Sequence, residues 1–246
     1  MPAHGTLYVI PTTLGPAPPD AVLPSGTLQV ARRLLHFVAE TPKVTRQFLK
    51  ALEHPAPMQE IAIAELSEHT PADQVAALLA PALAGHDLGL VSDAGCPGVA
   101  DPGALLVAAA HRAGVPVVPL AGPSSILLAL MASGLDGQAF AFHGYLPVKA
   151  DARGAAIKAL DDAVARTGAT QIFIETPYRN DSLLDALIAG CRPATMLTLA
   201  IDLTQASEQV ISRPLAQWRS LQRPALTKRP TVFLLGRASV TRRASS

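Results

Sequence analysis

Cysteine is almost absent: Cys96 and Cys191 are the only two in 246 residues. They are far apart and lack CxxC spacing, so the sequence offers neither a disulfide framework nor a zinc site. An excess of one charge is also missing, since 20 Lys and Arg face 19 Asp and Glu. There is thus no general footprint for nucleic acid, and any such binding must come from local clusters. No apolar run approaches the roughly 20 residues that span a bilayer. No basic segment followed by an apolar one and a small-residue cleavage site opens the chain. The expectation is a cytoplasmic protein without a membrane partner. The seven histidines form no helical HxxxH pair, and no metal is expected. GxGxxG, Walker A and GxSxG patterns are missing too, which argues against dinucleotide, phosphate-loop and serine-elbow enzymes. What the chain does have is 49% hydrophobic and 16% charged residues, enough to bury a large core and to exclude disorder for most of its length.

Strand-like and helical runs alternate. Leu7–Ile10, Phe37–Ala39, Ile61–Ala64 and Leu88–Val91 read as strands, separated by helical Leu28–Leu35, Val44–Leu52 and Val75–Leu83. This is the pattern of an α/β sheet. Thr70-Pro71 and Asp101-Pro102 each place a capping side chain before a proline suited to the first helical position, so helices should start there. Gly114 should stop the second of them before a Val115–Leu120 strand. A helix fits Ile126–Ser133. The mixed pattern continues through Phe140–Leu146, Ile157–Val164, Gln171–Glu175, Leu183–Ile188, Met196–Leu203 and Val232–Leu235. That is too many elements for one small sheet. Two α/β domains are expected, residues 1–120 and 121–238, followed by a solvated tail over 239–246.

Two apolar runs discharge into loops of small residues: Gly89-Leu90-Val91 into Ser92-Asp93-Ala94-Gly95, and Val115–Leu120 into Ala121-Gly122-Pro123-Ser124-Ser125. Ligands of open α/β sheets settle beyond the carboxyl ends of strands, where small side chains let them meet backbone. Asp93 would stand at such an end as a ligand contact or, in the plainer reading, as a turn cap. Ser124 and Ser125 open a helix, where they could hold a ligand oxygen, cap the helix, or do both.

The segment from Gly89 to Ser125 resembles the tetrapyrrole methylase family of S-adenosylmethionine-dependent methyltransferases. Its nearest branch is the one that methylates ribose in small-subunit ribosomal RNA. The likeness continues through Gly5–Thr12, Phe142–Pro147, Ile174–Arg179 and Lys228–Gly236, in sequence order. The resemblance implies two α/β domains with the cofactor in the cleft between them, and a homodimer. Apolar composition also points to a covered surface. It implies that Ser92, Asp93 and Ala94 contact the methionine part of S-adenosylmethionine, with Pro11 near the methyl end. Backbone around Glu175, Leu203 and Pro230 would lie near the adenosine.

Candidates for the methyl acceptor come from charge and aromatic patterns. Lys43 and Arg46 lie three apart, with Lys50 four further on, on one face of the helix begun by Pro42. Such a row is a solvated face or a phosphate contact. Tyr178 and Arg179 offer a stacking face and a planar donor, and Tyr145 and Lys149 could join them. An acceptor hydroxyl needs a base, for which Glu40, His143 and Glu175 are candidates that no spacing separates. The chain departs from the RNA branch at the proline-rich stretch after Thr12-Thr13-Leu14-Gly15-Pro16. It departs again at Glu40-Thr41-Pro42-Lys43, where that branch has an acidic pair followed by Thr-Arg. It also stops soon after Gly236, without that branch's additional C-terminal segment. RNA is one expected partner. A tetrapyrrole or other small molecule, and a binding protein without turnover, stay open beside it, with a serine hydrolase using Ser124 or Ser125 as a more distant reading.

Overall fold

A computed structural model describes residues 4–220 and 222–238; the tail expected over 239–246 lies outside them. The chain divides into two compact units, Met1–Ser124 and Ser125–Ser246.

In the first unit the order is β1 (Leu7–Ile10), α1 (Pro19–Val22), α2 (Ser25–Arg33), β2 (His36–Ala39), α3 (Pro42–Ala51), β3 (Ala62–Glu65), α4 (Ala72–Ala77), α5 (Ala80–Leu83), β4 (Leu88–Val91), α6 (Gly103–Ala113) and β5 (Val117–Pro119). The strands form a parallel sheet in the order β3-β2-β4-β1-β5. All its carboxyl ends therefore share one edge. Alternation along each strand splits the core between two faces. Leu7, Val38, Leu88 and Leu90 pack with Val75, Leu79, Ala82, Leu106 and Ala110 of the α4 to α6 region. Ile10, Phe37, Ala39 and Val91 pack with Leu28, Ala31, Phe48 and Leu49 of α2 and α3.

The helix expected over Val75–Leu83 is broken into α4 and α5, because Pro81 has no N–H to give a preceding turn. Pro71 and Pro102 take the N-cap rather than the first helical position. Thr70 does not cap: its hydroxyl accepts from the Ser67 N–H at 2.9 Å. Gly114 ends α6 with φ +70°, as a left-handed C-terminal glycine does.

Gly89, in the middle of β4, marks a tight place in the core. A Cβ there would lie 2.7 Å from the Phe37 ring and 3.0 Å from Ile10 Cδ1. Gly89→Ala should destabilise this unit by about 1–3 kcal/mol through overpacking. Chemical denaturation reads it, and an unshifted midpoint would mean that the ring moves aside freely.

The second unit runs α7 (Ser125–Ser133), β6 (Phe140–Tyr145), α8 (Ala150–Thr167), β7 (Thr170–Ile174), α9 (Asn180–Gly190), β8 (Met196–Ile201), β9 (Gln209–Pro214), α10 (Leu215–Trp218) and β10 (Thr231–Gly236). Its sheet is mixed, in the order β6-β7-β10-β8-β9, with only β6 and β7 parallel neighbours. Phe173, Leu197, Leu199, Phe233 and Leu235 bury one face against Ile157, Leu160, Leu184, Leu187 and Trp218. α7 lies against β8 to β10. Because β10 runs opposite to both β7 and β8, its amino end meets their carboxyl ends at one edge. Val232 pairs with Ile174 and Thr231 with Ile201.

Candidate functional site

The carboxyl edge of the first sheet gathers Pro11 after β1, Glu40 and Thr41 after β2, and Ser92–Ala94 after β4. The β1 and β4 ends are tied by backbone: the Thr12 N–H donates to Gly95 O at 2.9 Å, and Thr12 Oγ1 donates to Ser92 O at 3.3 Å. Ser92 turns its own hydroxyl inward, onto Ala94 O and Gly95 O at 3.2 and 3.4 Å. It shapes the loop, while Asp93 and Ala94 are exposed. Gly122, after β5, lies so close to Pro11 that a Cβ would stand 2.4 Å from the proline's. Pro11 and both small-residue loops are thereby brought together. Ser125 begins α7 and Ser124 immediately precedes it.

Asp93 is held by Thr41, a residue that no sequence signal singled out. Thr41 donates its N–H to Oδ1 at 3.1 Å and its hydroxyl to Oδ2 at 2.7 Å. Glu40 is half-buried beside it. Burial first, then the charges of Asp93 and Asp101, push the Glu40 carboxyl above its ordinary value. Asp101 is itself fixed by the Gly98 and Gly103 N–H groups at 2.8 and 2.7 Å. A cavity of about 350 Å³ opens here, walled by the 12–19 segment, by Val44, Gln47 and Phe48 of α3, and by Ser92–Ala94. Lys43, Arg46 and Lys50 lie along α3, with Lys43, Arg46 and Lys50 all exposed, and none has an ion-pair partner among the described residues.

At the shared edge of the second sheet stand Glu175, Leu203 and Pro230. Glu175 is buried, and its Oε1 accepts from the Thr176 N–H and from Arg179 Nη2, each at 2.6 Å. Burial pushes this carboxyl up, but the Arg179 guanidinium and the Thr176 N–H outweigh it and hold the group below its usual range. Arg179 is thus first an ion-pair partner, while Tyr178 near it is exposed. His143 is exposed and its Nε2 lies 2.8 Å from Gln171 Oε1. Tyr145 and Lys149 are exposed as well.

Arg229 organises this edge. Its Nε donates to Asp202 Oδ2 at 2.7 Å, its Nη2 to Ser207 O at 2.8 Å, and its own carbonyl accepts from Asn180 Nδ2 at 2.8 Å. The Asp202 N–H donates to Pro230 O at 2.9 Å. Asp202, Thr204 and Lys228 adopt φ of +50°, +68° and +65°, a conformation that disfavours side chains and persists where surroundings over-determine it. Glu175 Oε2 and Thr204 Oγ1 are buried and make no hydrogen bond. The sequence pointed to this network only through the Lys228–Gly236 stretch and through Leu203 and Pro230; neither Arg229 nor Asp202 was singled out. Neither thiol is a partner in it. Burial pushes Cys96 up and Cys191 up to about 12, which makes them inert at neutral pH. Among the described residues no group of three His, Cys, Asp or Glu is placed to hold a metal, and no helix is long and apolar enough to cross a membrane.

The sequence profile of the Tetrapyrrole (Corrin/Porphyrin) Methylases matches residues 20–218. The chain belongs to the tetrapyrrole methylase family. Curated members similar to it carry the name ribosomal RNA small subunit methyltransferase I. The one from Micromonospora olivasterospora is 39% identical over 84% of this chain and 62% of that protein. Those from Vibrio cholerae and Escherichia coli O157:H7 are 34% and 32% identical, over 86% and 87% of this chain and 69% and 71% of theirs. The chain thus spans about two thirds of these relatives. Among solved tetrapyrrole methylase-like folds, the methyltransferase CobJ superposes with a TM-score of 0.64 at 21% identity, covering 97% of this chain and 96% of that one. A uroporphyrin-III C-methyltransferase from Thermus thermophilus, solved with S-adenosylhomocysteine, gives 0.55 at 19%, covering 94% and 97%. At these identities the likeness shows the fold, two α/β units.

Proposed function

We propose that the chain is an S-adenosylmethionine-dependent methyltransferase that methylates a ribose 2′-hydroxyl of small-subunit ribosomal RNA in the cytoplasm. The observation that carries this reading is the pairing of opposite charges at one sheet edge. Asp93 lines a cavity at the β4 end, Glu40 follows β2 close enough to feel the Asp93 charge, and the cations Lys43 and Arg46 begin the adjoining helix. The carboxylates suit a cationic cofactor and the cations suit phosphates. The names of the relatives supply the RNA.

The residues present fit the cofactor. S-adenosylmethionine, when bound, supplies a methyl group activated on a sulfonium. Ser92, Asp93, Ala94, Ser124, Ser125 and Pro11 take its methionine and methyl part. Glu175, Leu203 and Pro230 take the adenosine part, where the unpartnered Glu175 Oε2 and Thr204 Oγ1 can accept or donate to its polar edge. Of the three candidate bases, Glu40 has the suitable environment, because its raised pKa makes the carboxylate a better proton acceptor. Glu175 is committed to Arg179. His143 meets Gln171 through Nε2 alone, and no neighbouring group is seen to tune it as Asp93 and Asp101 tune Glu40.

The test is transfer of labelled methyl into ribosomal RNA from cells lacking the protein. Label in a small-molecule fraction instead would move the assignment to a tetrapyrrole or other small acceptor, and no transfer at all would leave a binding protein. Substituting Lys43 or Arg46 should weaken RNA binding for all sequences and flatten its salt dependence by roughly one unit for each phosphate that is no longer neutralised. Affinity for S-adenosylhomocysteine should stay unchanged. Arg179 is a poorer probe, since its removal also leaves Glu175 buried without a counter-charge.

A homodimer is part of the same reading. Leu127 and Met131 on α7 are 51% and 79% exposed, apolar surface that a second copy would cover. Light scattering should give twice the chain mass at micromolar concentration; a monomer mass would count against it.

A further inference from the structure

Thr41 occupies the N-cap of α3, with extended backbone at φ −121° and ψ 105°. Threonine at that position ordinarily turns its hydroxyl oxygen toward the N–H groups of the first turn and stabilises the helix by about 1 kcal/mol. Here there is no such bond, although the Thr41 carbonyl does accept the first helical bond, from the Thr45 N–H at 3.1 Å. Its hydroxyl and N–H instead converge on the two carboxylate oxygens of Asp93, 52 residues away in the β4 loop. The cap is forgone and a side chain of another loop is fixed.

We infer that Thr41 is a positioning residue, holding the Asp93 carboxylate in the rotamer that meets the cofactor. This rests on the proposed role of Asp93. A carboxylate on an exposed loop end would otherwise sample several rotamers, and holding one in advance removes that ordering cost from binding. Each Asp93 oxygen accepts one bond from Thr41 and keeps a further lone pair for a ligand donor.

Calorimetric titration with S-adenosylhomocysteine tests this in the wild type, Thr41→Val, Thr41→Ser, Asp93→Ala and the Thr41→Val/Asp93→Ala double variant. Valine keeps the N–H and shape but loses the hydroxyl, and should weaken binding about two- to tenfold, the range for one hydrogen bond. Serine should keep wild-type affinity. The double variant should bind no more weakly than Asp93→Ala alone, because the hydroxyl acts only through that carboxylate. Thermal stability of Thr41→Val should stay close to wild type, since no helix cap is lost; Thr41→Ala serves if the valine variant does not fold. A Thr41→Val affinity equal to wild type, beside a weakened Asp93→Ala, would overturn the Thr41 role alone. So would additive losses in the double variant. Equal affinity in every variant, or no binding in the wild type, would overturn it together with the reading of Asp93.

Discussion

Glu40→Gln should lower the turnover number by about 10²- to 10⁴-fold, the contribution of a positioned general base, while leaving a folded protein that still binds S-adenosylhomocysteine. Burial and the neighbouring Asp93 and Asp101 charges raise the Glu40 pKa from its ordinary 4.5. A base acts in its deprotonated form, so wild-type turnover should rise with pH through that raised pKa, and the acid limb should vanish in the variant. The same shift has a consequence for stability. Because the folded pKa lies above the unfolded one, the protonated carboxyl is the better accommodated form. Its contribution is fully present below the unfolded pKa and is lost as pH rises through the folded one. At pH 7 Glu40→Gln should therefore melt higher than wild type, with the gap closing as pH falls below the ordinary carboxylate value. Unchanged turnover in a folded variant would remove Glu40 as base.

Asp93→Ala should weaken binding of S-adenosylmethionine and S-adenosylhomocysteine by about 1–3 kcal/mol, the range for a lost hydrogen bond to a charged group. The structure makes this a clean substitution. Asp93 is exposed, and the Thr41 N–H and hydroxyl that it accepts from can turn to water. Removing the carboxylate should also let the Glu40 pKa fall back toward its ordinary value, since the Asp93 charge raises it. The acid limb of the rate profile should then move to lower pH. Unchanged affinity in the folded variant would return Asp93 to the role of a turn cap.

Much of this architecture was legible in the chain. Alternating apolar periods, proline at helix starts and Gly114 at a helix end are local signals, and they carried the α/β class, most elements and the two small-residue loops beyond β4 and β5. The resemblance added the cofactor and the order of motifs. The 209–214 strand was not legible, because its alternation is weak and its neighbour β8 lies across a strained turn. Nor was the break at Pro81 anticipated inside an otherwise continuous helical pattern.

Which strands pair, and in which direction, is decided by contacts between residues far apart in sequence. The parallel β3-β2-β4-β1-β5 order and the antiparallel insertion of β10 between β7 and β8 were therefore fixed only by tertiary packing. The same holds for the site. The sequence determined that Asp93, Glu40 and Glu175 would stand at strand ends, because local apolar runs stop there. It left open that Thr41 clamps Asp93 across 52 residues, that Asp93 and Asp101 raise Glu40, and that Arg179 neutralises Glu175. A side chain's proton affinity and rotamer depend on charge and dipoles within a few ångströms, and those neighbours are supplied by the fold.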